Sequence, residues 1–293
     1  MARSALGVKR QSGNGAHGGE VDGNLPGHQP SLFASDILCN ACASLAVTAY
    51  AGSLLSRILF FEALPTPREP SMGKTVQLTA SDGHKLSAYL AQPASTAKGG
   101  LVVAMEIFGV NSHIRAVADG YAANGYLVIA PALFDRVQAG YEAGYSQEEI
   151  QKGIGFIEKI NLDDTMKDVA AAIQNIVSAG KVGITGYCWG GTVAWKAACT
   201  LDGLACAVPY YGGGVPGLIG LKPKCPVLFH WGEKDQSIPL DKAQQFAVAH
   251  QDQTHFFYPA AHGFNCDQRG SYDRASAELA RTGTLHFLAQ HVG

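Results

Sequence analysis

The 293-residue chain is short of charge: Asp, Glu, Lys and Arg make up 16% of it, and its formal net charge is −2. It therefore has no basic face with which to neutralise a phosphate backbone and no acidic tail, which sets nucleic acid aside and points to small-molecule partners. It also lacks the makings of a disulfide framework. Its seven cysteines (39, 42, 188, 199, 206, 225 and 266) are an odd number spread along a long chain, which suggests a reducing, cytoplasmic setting. Cys39 and Cys42 have metal-ligand spacing but no second ligand pair, so no zinc is expected there. There is no internal repeat. Residues 1–30 contain no aromatic residue and are rich in Gly, Asn, His and Gln; a stretch of that kind buries too little apolar surface to offset its ordering entropy and reads as disordered.

What is present begins with an uncharged run, residues 37–56, bounded by Asp36 and Arg57. Its length matches a membrane span, but Asn40, Ser44, Thr48, Ser53 and several alanines dilute it, and no small-residue cleavage site stands out. It reads as a helix packed on the domain or loosely attached, with a membrane anchor as the alternative. A regular strand pattern starts just after Met72. Residues 1–71 are thus expected to be a disordered or loosely attached, dispensable extension, or to precede the true translation start, and residues 72–293 to form a complete domain by themselves.

From there the pattern alternates. Val76–Leu78 and Lys85–Ala91 flank the turn Ser81-Asp82-Gly83-His84 and predict an antiparallel hairpin at a sheet edge. Leu101–Glu106 and Lys181–Thr185 read as buried strands, and Tyr126–Ala130, Ala205–Tyr210, Pro226–Trp231 and Thr254–Tyr258 as further strands. A helix is expected after the first of these, to about Ala123, and a partly polar helical excursion over 138–160. Asp164–Ala179 is amphipathic, with Val169, Ala172, Ile173 and Ile176 at helical spacing. Thr192–Ala198 and Ser276–Gln290 complete the helices. Alternation of this kind predicts an α/β fold with a mostly parallel sheet covered on both faces.

The chemistry concentrates at Gly186-Tyr187-Cys188-Trp189-Gly190-Gly191, which follows the apolar run Lys181–Thr185. A buried strand that ends in a glycine-flanked nucleophile and enters a helix is the nucleophile elbow of α/β-hydrolases, here with cysteine in place of serine. The helix N-terminus favours the thiolate. Cys199 and Cys206 lack that frame and read as structural. A nucleophile needs a base, and the base an orienting acid. Asp235 follows the strand Pro226–Trp231 and His262 follows Thr254–Tyr258, so both reach the carboxyl edge of the sheet where Cys188 lies. Asp252 and Asp267 are alternative acids but are poorly placed relative to a strand end. His230, His250, His255 and His286 are expected in the core or on the surface.

Glu106 ends the strand Leu101–Met105, an expensive place for a carboxylate without a partner. It is either a structural ion pair with Arg115 or Arg136, or it faces the nucleophile. The loop after that strand should also supply one oxyanion-hole amide, Ile107 N–H, with Trp189 N–H as the other.

Four motifs in this order, Glu106-Ile107-Phe108-Gly109-Val110-Asn111, Gly186 to Gly191, Trp231-Gly232-Glu233-Lys234-Asp235 and Ala261-His262-Gly263-Phe264, resemble the dienelactone hydrolase (carboxymethylenebutenolidase) family of cysteine-dependent α/β-hydrolases over about residues 74–290. The resemblance implies a Cys188–His262–Asp235 triad. It also implies a glutamate, Glu106, that takes the thiol proton when substrate displaces it, and hydrolysis of an enol-lactone through an acyl-thioester. It implies no metal or organic cofactor. One departure stands out: Cys266 occupies the place of a substrate-binding arginine, and residues 145–157 contain no arginine, leaving Lys152 or Arg269 as substitutes. A carboxylesterase or thioesterase acting on a neutral substrate is the alternative within the class; a non-catalytic thiol switch is the alternative outside it.

Overall fold

A computed structural model describes residues 73–293. The expectations for residues 1–71, the apolar run 37–56, Cys39, Cys42 and a start at Met72 all lie outside the described residues. Among the described residues, no helix is long and apolar enough to cross a membrane.

The hairpin forms as expected. β1 (Lys74–Thr79) and β2 (Lys85–Ala91) pair antiparallel across a turn in which Ala80 N–H donates to the His84 carbonyl (2.8 Å) and His84 N–H to Asp82 Oδ1 (3.1 Å). Six further strands follow: β3 (Gly100–Ala104), β4 (Leu127–Pro131), β5 (Val182–Tyr187), β6 (Leu204–Tyr210), β7 (Leu228–Gly232) and β8 (Thr254–Tyr258). They join the hairpin in one eight-stranded sheet ordered β1-β2-β4-β3-β5-β6-β7-β8. Only the β1–β2 and β2–β4 pairings are antiparallel.

β3, β5 and β7 are buried along their whole length. That is why they read as continuous apolar runs, since a parallel strand with helices on both faces has no side for polar residues. The helices are α1 (Ser112–Ala123), α2 (Gln147–Ile157), α3 (Leu162–Ile176), α4 (Trp189–Thr200), α5 (Leu240–Ala249) and α6 (Arg274–His291). α3 buries Met166, Val169, Ala172, Ile173 and Ile176, the stripe expected from its spacing. α5 has no counterpart in the sequence reading. Its N-cap, Pro239, offers no side-chain acceptor, and only Ala243 and Phe246 are buried, so neither a cap nor a stripe announces it.

Candidate active site

β5 ends at Tyr187 and the chain turns through Cys188 into α4. Cys188 has φ 56° and ψ −120°, a conformation that costs a non-glycine residue roughly 1–3 kcal/mol and persists only where its surroundings impose it. They do so here: its N–H donates to the Tyr210 carbonyl (3.1 Å), and its carbonyl accepts from Gly191 N–H (2.9 Å). The flanking glycines admit the turn. A Cβ on Gly186 would strike the Gly190 carbonyl, and one on Gly190 the carbonyls of Ala104 and Met105. The outcome is a half-buried sulfur at the N-terminus of a helix, where peptide dipoles favour negative charge.

Asp235 and His262 converge from the loops after β7 and β8. Asp235 Oδ2 accepts from His262 Nδ1 at 2.8 Å, and Asp235 Oδ1 is fixed by the amides of Ser237 (2.8 Å) and Ile238 (3.1 Å). That leaves His262 Nε2 for Cys188, which lines the same cavity. Burial disfavours the His262 imidazolium. The charge on Cys188 and hydrogen bonding to Asp235 and Cys188 outweigh it, raising the pKa from 6.5 to about 10. The Tyr211 ring packs edge-on against His262 with centroids 5.2 Å apart.

Glu106 follows β3 and is 1% exposed. The structural pairing allowed by sequence is not what forms. Arg115 binds Glu142 (2.7 Å) and Arg136 binds Asp168 (2.7 Å), each nearer its own partner. Glu106 Oε1 instead lies 3.5 Å from Arg269 Nη1, and Oε2 has no hydrogen-bond partner among the described residues. Arg269 lies across the rings of Phe108 (5.5 Å) and Tyr145 (5.8 Å) and lines the cavity. Of the two substitutes for the missing arginine it is the one so placed. Lys152 lies over Tyr141 (5.1 Å) and Phe156 (5.8 Å) instead. Cys266 is buried, its thiol donating to Tyr145 Oη (3.3 Å), with burial pushing its pKa up to about 11.

Both expected oxyanion amides border the cavity. Ile107 and Trp189 line it, and neither N–H donates to a carbonyl or side chain among the described residues. The rest of the chemistry-bearing residues stay structural. Cys199 and Cys206 are buried, with burial pushing both thiols up to about 12. His230 is buried between Tyr258 Oη (2.8 Å) and Thr284 Oγ1 (2.9 Å), its pKa pushed down to about 3 by burial. Asp267 faces His113 (3.2 Å) and Asp252 bonds Gln253 (2.8 Å), so neither alternative acid reaches His262. Among the described residues, Glu106, His113 and Cys266 bring their ligand atoms within 4.8 Å of one another. The Arg269 guanidinium already supplies the positive charge at that spot.

Sequence reading missed Tyr211 and the apolar wall of the cavity. The Tyr210-Tyr211-Gly212 turn at the end of β6 was the available signal for the first. The cavity holds about 440 Å³, and Ile150, Ile154, Ile157, Ile160 and Leu162 form much of its wall.

A mostly parallel sheet in this strand order, with the tight turn through Cys188 at the carboxyl edge of β5, is the α/β-hydrolase architecture. A family model described as "Dienelactone hydrolase family" matches residues 86–292. Over 226 residues the chain is 32% identical to the carboxymethylenebutenolidase of Pseudomonas putida, covering 73% of this chain and 95% of the relative. Carboxymethylenebutenolidase 1 of Cupriavidus pinatubonensis is 27% identical over the same shares of the two chains. A crystal structure assigned as a dienelactone hydrolase from Klebsiella pneumoniae superposes with a TM-score of 0.64 at 29% identity, over 75% of this chain and 99% of that one. The chain belongs to the dienelactone hydrolase family, which places it among the carboxylic ester hydrolases.

Proposed function

We propose that the protein hydrolyses a small ester or lactone with Cys188 as nucleophile, His262 as acid and base, and Asp235 as the group that orients His262. The observation that carries this reading is the 2.8 Å Asp235–His262 bond in a cavity shared with the strained Cys188. Cys188 Sγ attacks the acyl carbon, and the amides of Ile107 and Trp189 take the oxyanion. The acyl C–O bond then breaks, and the departing oxygen accepts the Nε2 proton of His262, which the ionised sulfur has kept in the imidazolium form. Water next gives a proton to His262 and attacks the thioester, releasing the acid and returning the sulfur. Nothing in these steps calls for a metal or an organic cofactor.

Glu106 and Arg269 form the second part of the proposal. An anionic group on the substrate that takes Arg269 releases Glu106, whose unpartnered oxygen is then free to accept the thiol proton. Arg269 thus does the work of the arginine that Cys266 replaces, with the planar fork a carboxylate needs.

Turnover of a panel of lactones and activated esters tests the reading. Cys188→Ala is expected to lower kcat/KM by about 10⁴-fold or more, and Asp235→Asn by about 10²–10⁴-fold. Glu106→Gln should reduce turnover of anionic lactones more than that of neutral esters. Equal turnover by wild type and Cys188→Ala would end the proposal.

A further inference from the structure

The cavity around Cys188 is lopsided in a way that specifies more than ester hydrolysis. Cys188, His262 and Arg269 bring its titratable and charged groups, whereas six isoleucines and leucines, with Phe108 and Trp189, make most of the remaining wall apolar. Ile150, Ile154 and Ile157 recur at i, i+4 and i+7 of α2, so they lie along one helix face. Ile160 and Leu162 extend that stripe to the start of α3.

α2 is held over the loop after β3 by a close approach. Gly153 is buried, and a Cβ there would strike the Ile107 carbonyl, so the helix rests directly on the loop that offers the oxyanion amide. The isoleucine stripe is thereby fixed in the wall of the cavity that Cys188 also lines. It is nevertheless left partly open, Ile154 being 39% exposed and Ile150, Ile157 and Ile160 half-buried. Packed this way, α2 keeps apolar surface that the other described residues do not cover.

The remaining wall offers few hydrogen bonds. Thr192 Oγ1 already accepts from Gly214 N–H (2.9 Å), and Ser237 N–H is committed to Asp235. A substrate carrying hydroxyls or amides along this wall would leave them unpaired, whereas an alkyl or aryl arm loses nothing there. Resting on the ester-hydrolase reading above, we infer that the preferred substrates carry an apolar arm of roughly six to ten carbons, which seats along the Ile150–Ile154–Ile157 face of α2. Small, compact acyl groups leave that face wet and are poorer substrates.

Two measurements on the full chain test this. The first is kcat/KM for 4-nitrophenyl esters from acetate to decanoate, below their aggregation limits. At roughly threefold per buried methylene, the octanoate-to-acetate ratio should reach at least about thirtyfold, allowing for partial burial. Ile154→Asp should lower that ratio about tenfold, chiefly through KM, and Ile154→Leu should restore it. A flat or falling profile, or a ratio unchanged in Ile154→Asp, overturns the inference. The second is calorimetric binding of 2-decanone and 2-butanone to Cys188→Ala, which reads the arm without turnover. Preference for 2-decanone, reduced by adding Ile154→Asp, supports the apolar site even if the hydrolase reading fails; equal binding of the two ketones overturns it.

Discussion

Cys188 takes a conformation that most side chains avoid, and two neighbouring groups make it useful there. The Tyr210 carbonyl and Gly191 amide hold the turn, and the sulfur meets His262, whose other nitrogen is tied to a carboxylate that two amides fix in turn. The electrostatic consequence is measurable. Folding raises the His262 pKa from 6.5 to about 10, because the charges on Cys188 and Asp235 outweigh the burial that opposes the imidazolium. A raised histidine pKa contributes stability that is fully present below about pH 6.5 and is lost as pH climbs through about 10. Titration by imidazole NMR should therefore find the His262 pKa above 6.5 once the sulfur is ionised, falling back toward 6.5 in Cys188→Ala and in Asp235→Asn. A His262 that titrates alike in all three proteins would mean that the sulfur and carboxylate do not act on it.

At the scale of elements, two glycines of similar appearance in the sequence have opposite meanings. Gly190 lies in the first turn of α4, against the carbonyls that end β3, and its missing Cβ lets helix and strand approach. Gly155 lies within α2 with open space around its Cα. Gly190→Ala is expected to cost at least about 2 kcal/mol and to lower Tm by roughly 4–8 °C. Gly155→Ala should instead stabilise by about 0.5–1 kcal/mol, the helix propensity it gains. Thermal melts of both variants check this, and a harmless alanine at Gly190 would contradict the packing described for the elbow.

Across the whole molecule, the sheet explains why so much of the site could be read from the sequence. Cys188, Asp235 and Glu106 each stand just past the carboxyl end of a buried parallel strand, and His262 just past the partly exposed edge strand β8; buried parallel strands are conspicuous as unbroken apolar runs. Once the runs at 101–105, 181–185, 226–231 and 254–258 are recognised, the topology carries those four residues to one edge. What the sequence hid depends on turns and tertiary approach. Arg269 reaches Glu106 only because the chain folds back through the Gly263–Cys266 and Cys266–Arg269 turns (3.0 and 3.1 Å). Cys266, where the resemblance would place an arginine, is carried inward to Tyr145 instead. The isoleucines of α2 were similarly masked by the polar residues between them, and their role appears only when the helix is seen docked on Ile107. α5 was missed for want of a cap and a stripe.

The account depends above all on the sulfur of Cys188 carrying the acyl group. Rapid-quench mass spectrometry of the full chain, mixed with a slowly deacylating activated ester and digested, reads this directly. The account predicts an acyl adduct on the peptide containing Cys188, formed and lost at rates that match turnover and absent from Cys188→Ala. Steady turnover with no adduct at Cys188, or an adduct on another residue, would contradict it.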